Sequence, residues 1–367
     1  MGRLTNIQHL RAIAALTVVF SHLIASAHVI ARSGHTSFAI PPIFGTFGVD
    51  VFFVISGFIM YYTTATHFGE PGATVQFLRR RLIRIVPIYW LLTLLQAAVL
   101  FASRMDQADK QIPPTQLIKS FFFIPYLSES GKYRPILGVG WTLNFEMLFY
   151  VVFALTLLFP RRIGVALLFL TFASAISIGQ LIRPSGALGA WTMPVSMEFL
   201  AGVLLAAAYI HIPGWVGRIR IPATVGAIAI VLFQHFYVAP TAYLHDELLW
   251  RPQHWGLAVL LVLFALAASR PSEHSLTSRV LERIGDSSYS LYLTHTIWIG
   301  VFTATLAKLH LDRLINPYVF FFATAGLAVV IGWLFHVVVE ERLTQVLSRR
   351  GGKRLQADPL PVTEATA

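Results

Sequence analysis

The 367-residue chain contains no cysteine. That excludes disulfides, thiolate metal sites and a cysteine nucleophile, and it removes any cysteine signal of redox compartment. Charge is also scarce: Asp, Glu, Lys and Arg make up 12% of the residues, about half the fraction usual in a soluble domain. Acid is the scarcer sign, with 17 Asp and Glu against 28 Lys and Arg, for a net charge of +11. The basic surplus is dispersed in short segments between apolar runs, so no contiguous soluble surface exists for a nucleic-acid partner. The 13 histidines nowhere take HxxxH or HExxH spacing, and the carboxylates do not cluster, so no metal is expected. GxSxG, P-loop and dinucleotide fingerprints are missing too. There is no internal repeat of the kind that builds transporters from two halves.

What is abundant is apolar length. The chain is 56% hydrophobic with a mean hydropathy of +0.67. Apolar runs recur from end to end and predict an all-α, polytopic bundle of about ten transmembrane helices in the lipid bilayer. The expected spans are Ile7–Val29, Phe44–Thr64, Leu82–Phe101, Ile136–Phe159, Ile163–Ile182, Trp191–Ile210, Ile221–Val238, Trp255–Ala268, Tyr289–Leu309 and Val319–Val339. Most of the Lys and Arg residues fall in alternate connections, which puts both termini in the cytoplasm. Residues 1–345 read as the membrane domain, and residues 346–367 as a polar cytoplasmic tail too poor in apolar side chains to fold. Arg3, the first apolar run and Ala25-Ser26-Ala27 resemble a cleavable signal. The many spans that follow favour an uncleaved first helix. A multi-pass protein of the cell membrane, the inner membrane in a bacterium, is the expected location.

Ionisable residues inside these spans are costly, and they single out the candidate site. Arg11 and His22 share the first span. Eleven helical steps bring them to within about 20° of one face and about 16 Å apart along the axis. Arg79-Arg80-Arg81-Leu-Ile-Arg84-Ile-Val-Pro87 opens the third span. Arg81 and Arg84 lie on one face of it, a spacing suited to phosphate. In the fourth, Trp141-Thr-Leu-Asn-Phe-Glu146 puts Glu146 roughly 12–15 Å below the outer surface, close to the depth of His22. At matched depth the two can form a proton-relaying pair, or each can be satisfied separately. Asp50 and Ser56 come from Gly48-Val-Asp-Val-Phe-Phe-Val-Ile-Ser-Gly57. Asp50 fits a helix-dipole role as well as a functional one. Glu198 is a further carboxylate at membrane depth, and Glu340 lies at the cytoplasmic edge, within reach of an arginine of the basic mouth. Ser288, Tyr292 and His295 form a polar stripe at i, i+4 and i+7 that either lines a cavity, with Ser288 and Tyr292 as cofactor-binding candidates, or packs on another helix.

Taken together, the Arg11-x10-His22 pair, the Gly-Val-Asp-Val-Phe-Phe-Val-Ile-Ser-Gly-Phe run, Arg81-x-x-Arg84-Ile-x-Pro87, Trp141-Thr-Leu-x-x-Glu146-x-x-Phe-Tyr150 and Ser288-Tyr-x-x-Tyr292-Leu-x-His295 resemble the acyltransferase 3 family of integral membrane O-acyltransferases, in particular its short exopolysaccharide-modifying members. The chain departs from many members at Glu340-Glu-Arg342-Leu, where they carry Glu-x-Pro. The resemblance implies transfer of an acyl group, usually acetyl, from cytoplasmic acetyl-CoA to a hydroxyl of a carbohydrate or glycolipid acceptor across the membrane. Carried over, His22 is the catalytic histidine, as general base or transient acyl carrier, with Arg11 its motif partner. Arg81 and Arg84 meet the phosphates of CoA, and Glu146 orients His22 or accepts a proton. The other function these residues would suit is a transporter or flippase for an anionic or glycosylated solute, using the buried His, Glu and Arg as its binding site.

Overall fold

The computed structural model describes residues 4–40, 45–103, 112–128, 131–212, 252–267 and 275–349, with a few positions between 214 and 229. The helices are α1 (Thr5–Ser33), α2 (Gly45–Thr64), α3 (Ala73–Ser103), α4 (Pro114–Phe121), α5 (Trp141–Thr156), α6 (Arg161–Ile182), α7 (Gly186–Trp191), α8 (Ser196–His211), α9 (Pro252–Ala267), α10 (Leu276–Asp286), α11 (Ser288–Lys308), α12 (Pro317–Phe335) and α13 (Glu341–Arg349). Among the described residues there is no strand, only an isolated antiparallel bridge between Leu127 and Tyr133.

Eight helical stretches of the described residues are long and apolar enough to cross a membrane, and they coincide with eight of the ten expected spans. Of the other two, Trp255–Ala268 corresponds to α9, which has 16 residues. Most of Ile221–Val238 lies outside the described residues, as do residues 350–367 of the expected tail. The start of that tail is helical, since α13 runs to Arg349.

Burial sorts the helices into a centre and a periphery. α2 packs against α1 and α8 and supplies Val51, Phe53, Val54, Ile55 and Phe58 to the main apolar cluster. Contact with α8 is backbone to backbone: a Cβ on Gly57 would collide with the carbonyl of Phe199, and one on Gly202 with the carbonyl of Val54. Small residues at reciprocal positions let two helices approach where lipid supplies no hydrophobic drive for association. α6, by contrast, buries only Gly164, Leu168, Phe172 and Gly179 and turns Leu170, Ile178 and Leu181 outward. Such apolar exposure is stable against acyl chains and would be a liability in water.

Two irregularities bear on the site. Pro87 interrupts the hydrogen-bond ladder of α3, and close by, the Tyr289 hydroxyl donates to the Ile85 carbonyl at 2.8 Å. Between α12 and α13 the chain makes a π turn, His336–Glu340. The helix therefore continues through the place where Glu-Glu-Arg342 departs from the usual proline.

Candidate active site

Two helices carry three arginines into one cavity. Arg11 of α1 donates to Ser288 Oγ at 2.8 Å and to Gln8 Oε1 at 3.1 Å. Ser288 is the first residue of α11, so this hydrogen bond ties the starts of α1 and α11 together. Arg81 of α3 lies between two aromatic faces, its guanidinium carbon 5.5 Å from the ring centres of both Phe77 and Tyr150. Stacking of that kind holds a planar cation in place without neutralising it. Arg84, one turn on, lines the same space.

Glu146 of α5 answers the three cations. Its Oε1 accepts from Ser56 Oγ at 3.0 Å and from the Tyr150 hydroxyl. The resulting cavity encloses about 820 Å³, counting the space open at its mouth, and is lined by Arg11, Ser56, Arg81, Arg84, Glu146, Ser288, Tyr289 and Tyr292 among apolar side chains. Three guanidiniums against one carboxylate give it a lining suited to an anion.

Tyr292 lines this space and is itself tied down. Its hydroxyl donates to the Val139 carbonyl at 2.9 Å and lies 3.1 Å from Thr142 Oγ1, and its ring meets Phe52 at 6.2 Å. His295, three residues on, has its ring centre 6.0 Å from that of Tyr292. It is fully buried, and its Nε2 lies 3.4 Å from His22 Nδ1. The two imidazoles meet edge to face at 4.9 Å and 72°. His22 itself is exposed and is not among the residues lining the arginine cavity.

The structure thus gathers Arg11, Arg81, Arg84, Glu146, Ser56, Ser288 and Tyr292 around one cavity and pairs His22 with His295, whose ring neighbours that of Tyr292. The hydrogen bonds of Glu146 go to Ser56 and Tyr150, and the side-chain partner of His22 is His295. Asp50 and Glu198 are fully buried away from the cavity lining, and Trp141 packs edge-on against Phe53 and Phe145. Glu340, expected near an arginine, lies within electrostatic reach of Arg84 and Arg11; its hydrogen bonds go to Ser290 Oγ at 2.5 Å and to His336 at 2.8 Å. Sequence reasoning missed the aromatic shelf of Phe77 and Tyr150 under Arg81, for which i+4 spacing within α3 gives half the signal. It also missed Tyr289 and Thr142. Among the described residues no group of three His, Asp or Glu could hold a metal ion.

Fold and site together define an integral membrane protein that can hold an anionic ligand inside its helical bundle. The chain belongs to the acyltransferase family Acyl_transf_3, "Acyltransferase domain", whose profile matches residues 4–337. It is 34% identical to "Exopolysaccharide production protein ExoZ" of Rhizobium meliloti, over 89% of this chain and 95% of that protein. It is 25% identical to "Acyltransferase MdmB" of Streptomyces mycarofaciens, over 97% of this chain and 96% of that one. No solved structure matches it.

Proposed function

We propose that this membrane acyltransferase moves an acetyl or related acyl group from acyl-CoA to a hydroxyl of an exported or cell-surface polysaccharide or glycolipid. The observation that carries the reading is the cavity lined by Arg11, Arg81, Arg84 and Tyr292, the last of them one turn from His295 of the His22–His295 pair. Guanidiniums in a low-dielectric interior suit the phosphates of CoA, which they bind as forked pairs of hydrogen bonds. Glu146, held by Ser56 and Tyr150, limits the net positive charge of the empty cavity. On this reading the arginine end faces the cytoplasm, where acyl-CoA is made, and the pantetheine arm passes Phe52 and Tyr292 to reach His22. The acceptor, on this reading, comes from the opposite side. The polysaccharide class of acceptor is carried over from the exopolysaccharide relative.

In the step itself, His22 takes the proton of the acceptor hydroxyl as its oxygen attacks the thioester carbonyl. The C–O bond forms, the C–S bond breaks, and the proton passes from His22 to the departing CoA sulfur. The test is transfer of radiolabel from acetyl-CoA into the carbohydrate fraction of membrane vesicles, with release of free CoA thiol. His22→Ala should abolish both while leaving the amount of protein unchanged. Full transfer by His22→Ala would overturn the mechanism, and movement of solute without thiol release would mark a transporter.

A further inference from the structure

We propose that His295 is a positioning residue: a second imidazole that fixes the tautomer and the direction of His22, so that the Nε2 lone pair of His22 is the one presented to the acceptor. This rests on the reading of His22 as the base.

The assignment follows from two main-chain carbonyls. His22 Nδ1 lies 2.9 Å from the Val18 carbonyl oxygen, four residues back in α1. A carbonyl only accepts, so that nitrogen carries the hydrogen. A neutral imidazole has one N–H, which leaves His22 Nε2 as a lone pair. His295 repeats the device in α11: its Nδ1 lies 3.1 Å from the Leu291 carbonyl oxygen, again four residues back. Its own Nε2 is therefore a lone pair as well, and that lone pair is the atom 3.4 Å from His22 Nδ1. The His22 N–H is shared between Val18 and His295, and the bond cannot run the other way.

Burial separates the roles of the two rings. His295 is 0% exposed, whereas His22 is exposed. An imidazole buried that deeply in an apolar helix costs free energy unless both nitrogens are occupied, and here they are occupied by Leu291 and His22. His295 cannot reach an acceptor, but it can hold the ring that does. Without it, His22 keeps a single bond to its own helix and is free to turn. When His22 Nε2 takes the hydroxyl proton, the ring becomes a cation whose Nδ1–H strengthens its bond to the His295 lone pair. No proton has to move between the rings. The proton gained at His22 Nε2 goes on to the CoA sulfur, and His295 is unchanged at the end of the cycle.

The experiment uses full-length protein in membrane vesicles of a producing strain whose own copy of the gene has been deleted, with radiolabelled acetyl-CoA as donor and the endogenous acceptor. His295→Phe keeps the ring volume and removes the lone pair. It should lower the maximal rate about 100-fold, as loss of an orienting partner does, with the KM for acetyl-CoA changed less than about twofold. His295→Gln puts an amide oxygen near the position of Nε2 and should retain activity within about tenfold of the unaltered protein. The proposal is overturned if His295→Phe transfers at the normal rate, if His295→Gln loses as much as His295→Phe, or if the loss falls on KM. A His22→Ala protein that still transfers label removes the base reading itself, an outcome distinct from an active His295→Phe beside a dead His22→Ala.

Discussion

A guanidinium inside an apolar run is conspicuous in any sequence, and for that reason Arg11, Arg81 and Arg84 were legible before the fold was known. What they touch was not. Arg81 sits between Phe77 and Tyr150, which come from different helices, at 5.5 Å from each ring. Arg81→Lys keeps the charge and loses the planar stack. It should raise the KM for acetyl-CoA about tenfold, and saturation curves of thiol release would show it. Arg84→Ala should raise it by roughly 10–100-fold with a smaller effect on kcat, since a charged hydrogen bond to phosphate made alike in ground and transition states contributes about 1.5–3 kcal/mol to binding. An unchanged KM in Arg84→Ala would reduce the basic cluster to a topology signal. The depth argument that matched Glu146 to His22 shows where single-sequence reasoning stops. Rise per residue gives position along the membrane normal, whereas partnership depends on which helices are neighbours and how each is rotated. His22 met His295 of α11, and Glu146 met Ser56 of α2.

Among the elements, the long apolar helices were the readable part, because a bilayer demands unbroken apolar length and leaves few alternatives. Their ends were harder. The π turn at His336–Glu340 is one extra residue in a helical ladder, and hydropathy does not register it. It puts Glu340 on His336 and Ser290. Packing between α2 and α8 depends on the reciprocal pair of Gly57 on Phe199 and Gly202 on Val54, which needed coordinates. Gly202→Val forces the two backbones apart. It should cost on the order of 1–3 kcal/mol, as overpacking does, and lower the thermal unfolding midpoint of the detergent-solubilised protein by several degrees. The same substitution at Gly326, where a Cβ meets nothing within 4 Å, should leave the midpoint unchanged.

Across the whole molecule, Tyr292 links two features: it lines the arginine cavity, and its ring centre lies 6.0 Å from that of His295. Tyr292 is hydrogen-bonded to Val139 and Thr142 and packed on Phe52. On the proposed reading, the thioester must pass this point while water is kept from it. Tyr292→Ala should therefore raise thiol release from acetyl-CoA in vesicles stripped of acceptor, because water can then reach the thioester in the acceptor's place. A rate equal to that of the unaltered protein would mean that Tyr292 is not the barrier. Such a tyrosine has a second effect, on the cell rather than on the reaction. An elementary charge crossing a bilayer at 100 mV releases about 2.3 kcal/mol, and an open water-filled shaft through the bundle would let protons run down that gradient whenever the enzyme stood idle. On the proposed reading, with Tyr292 hydrogen-bonded to Thr142 of α5, two carbons would pass from one aqueous compartment to the other while the membrane stayed electrically sealed.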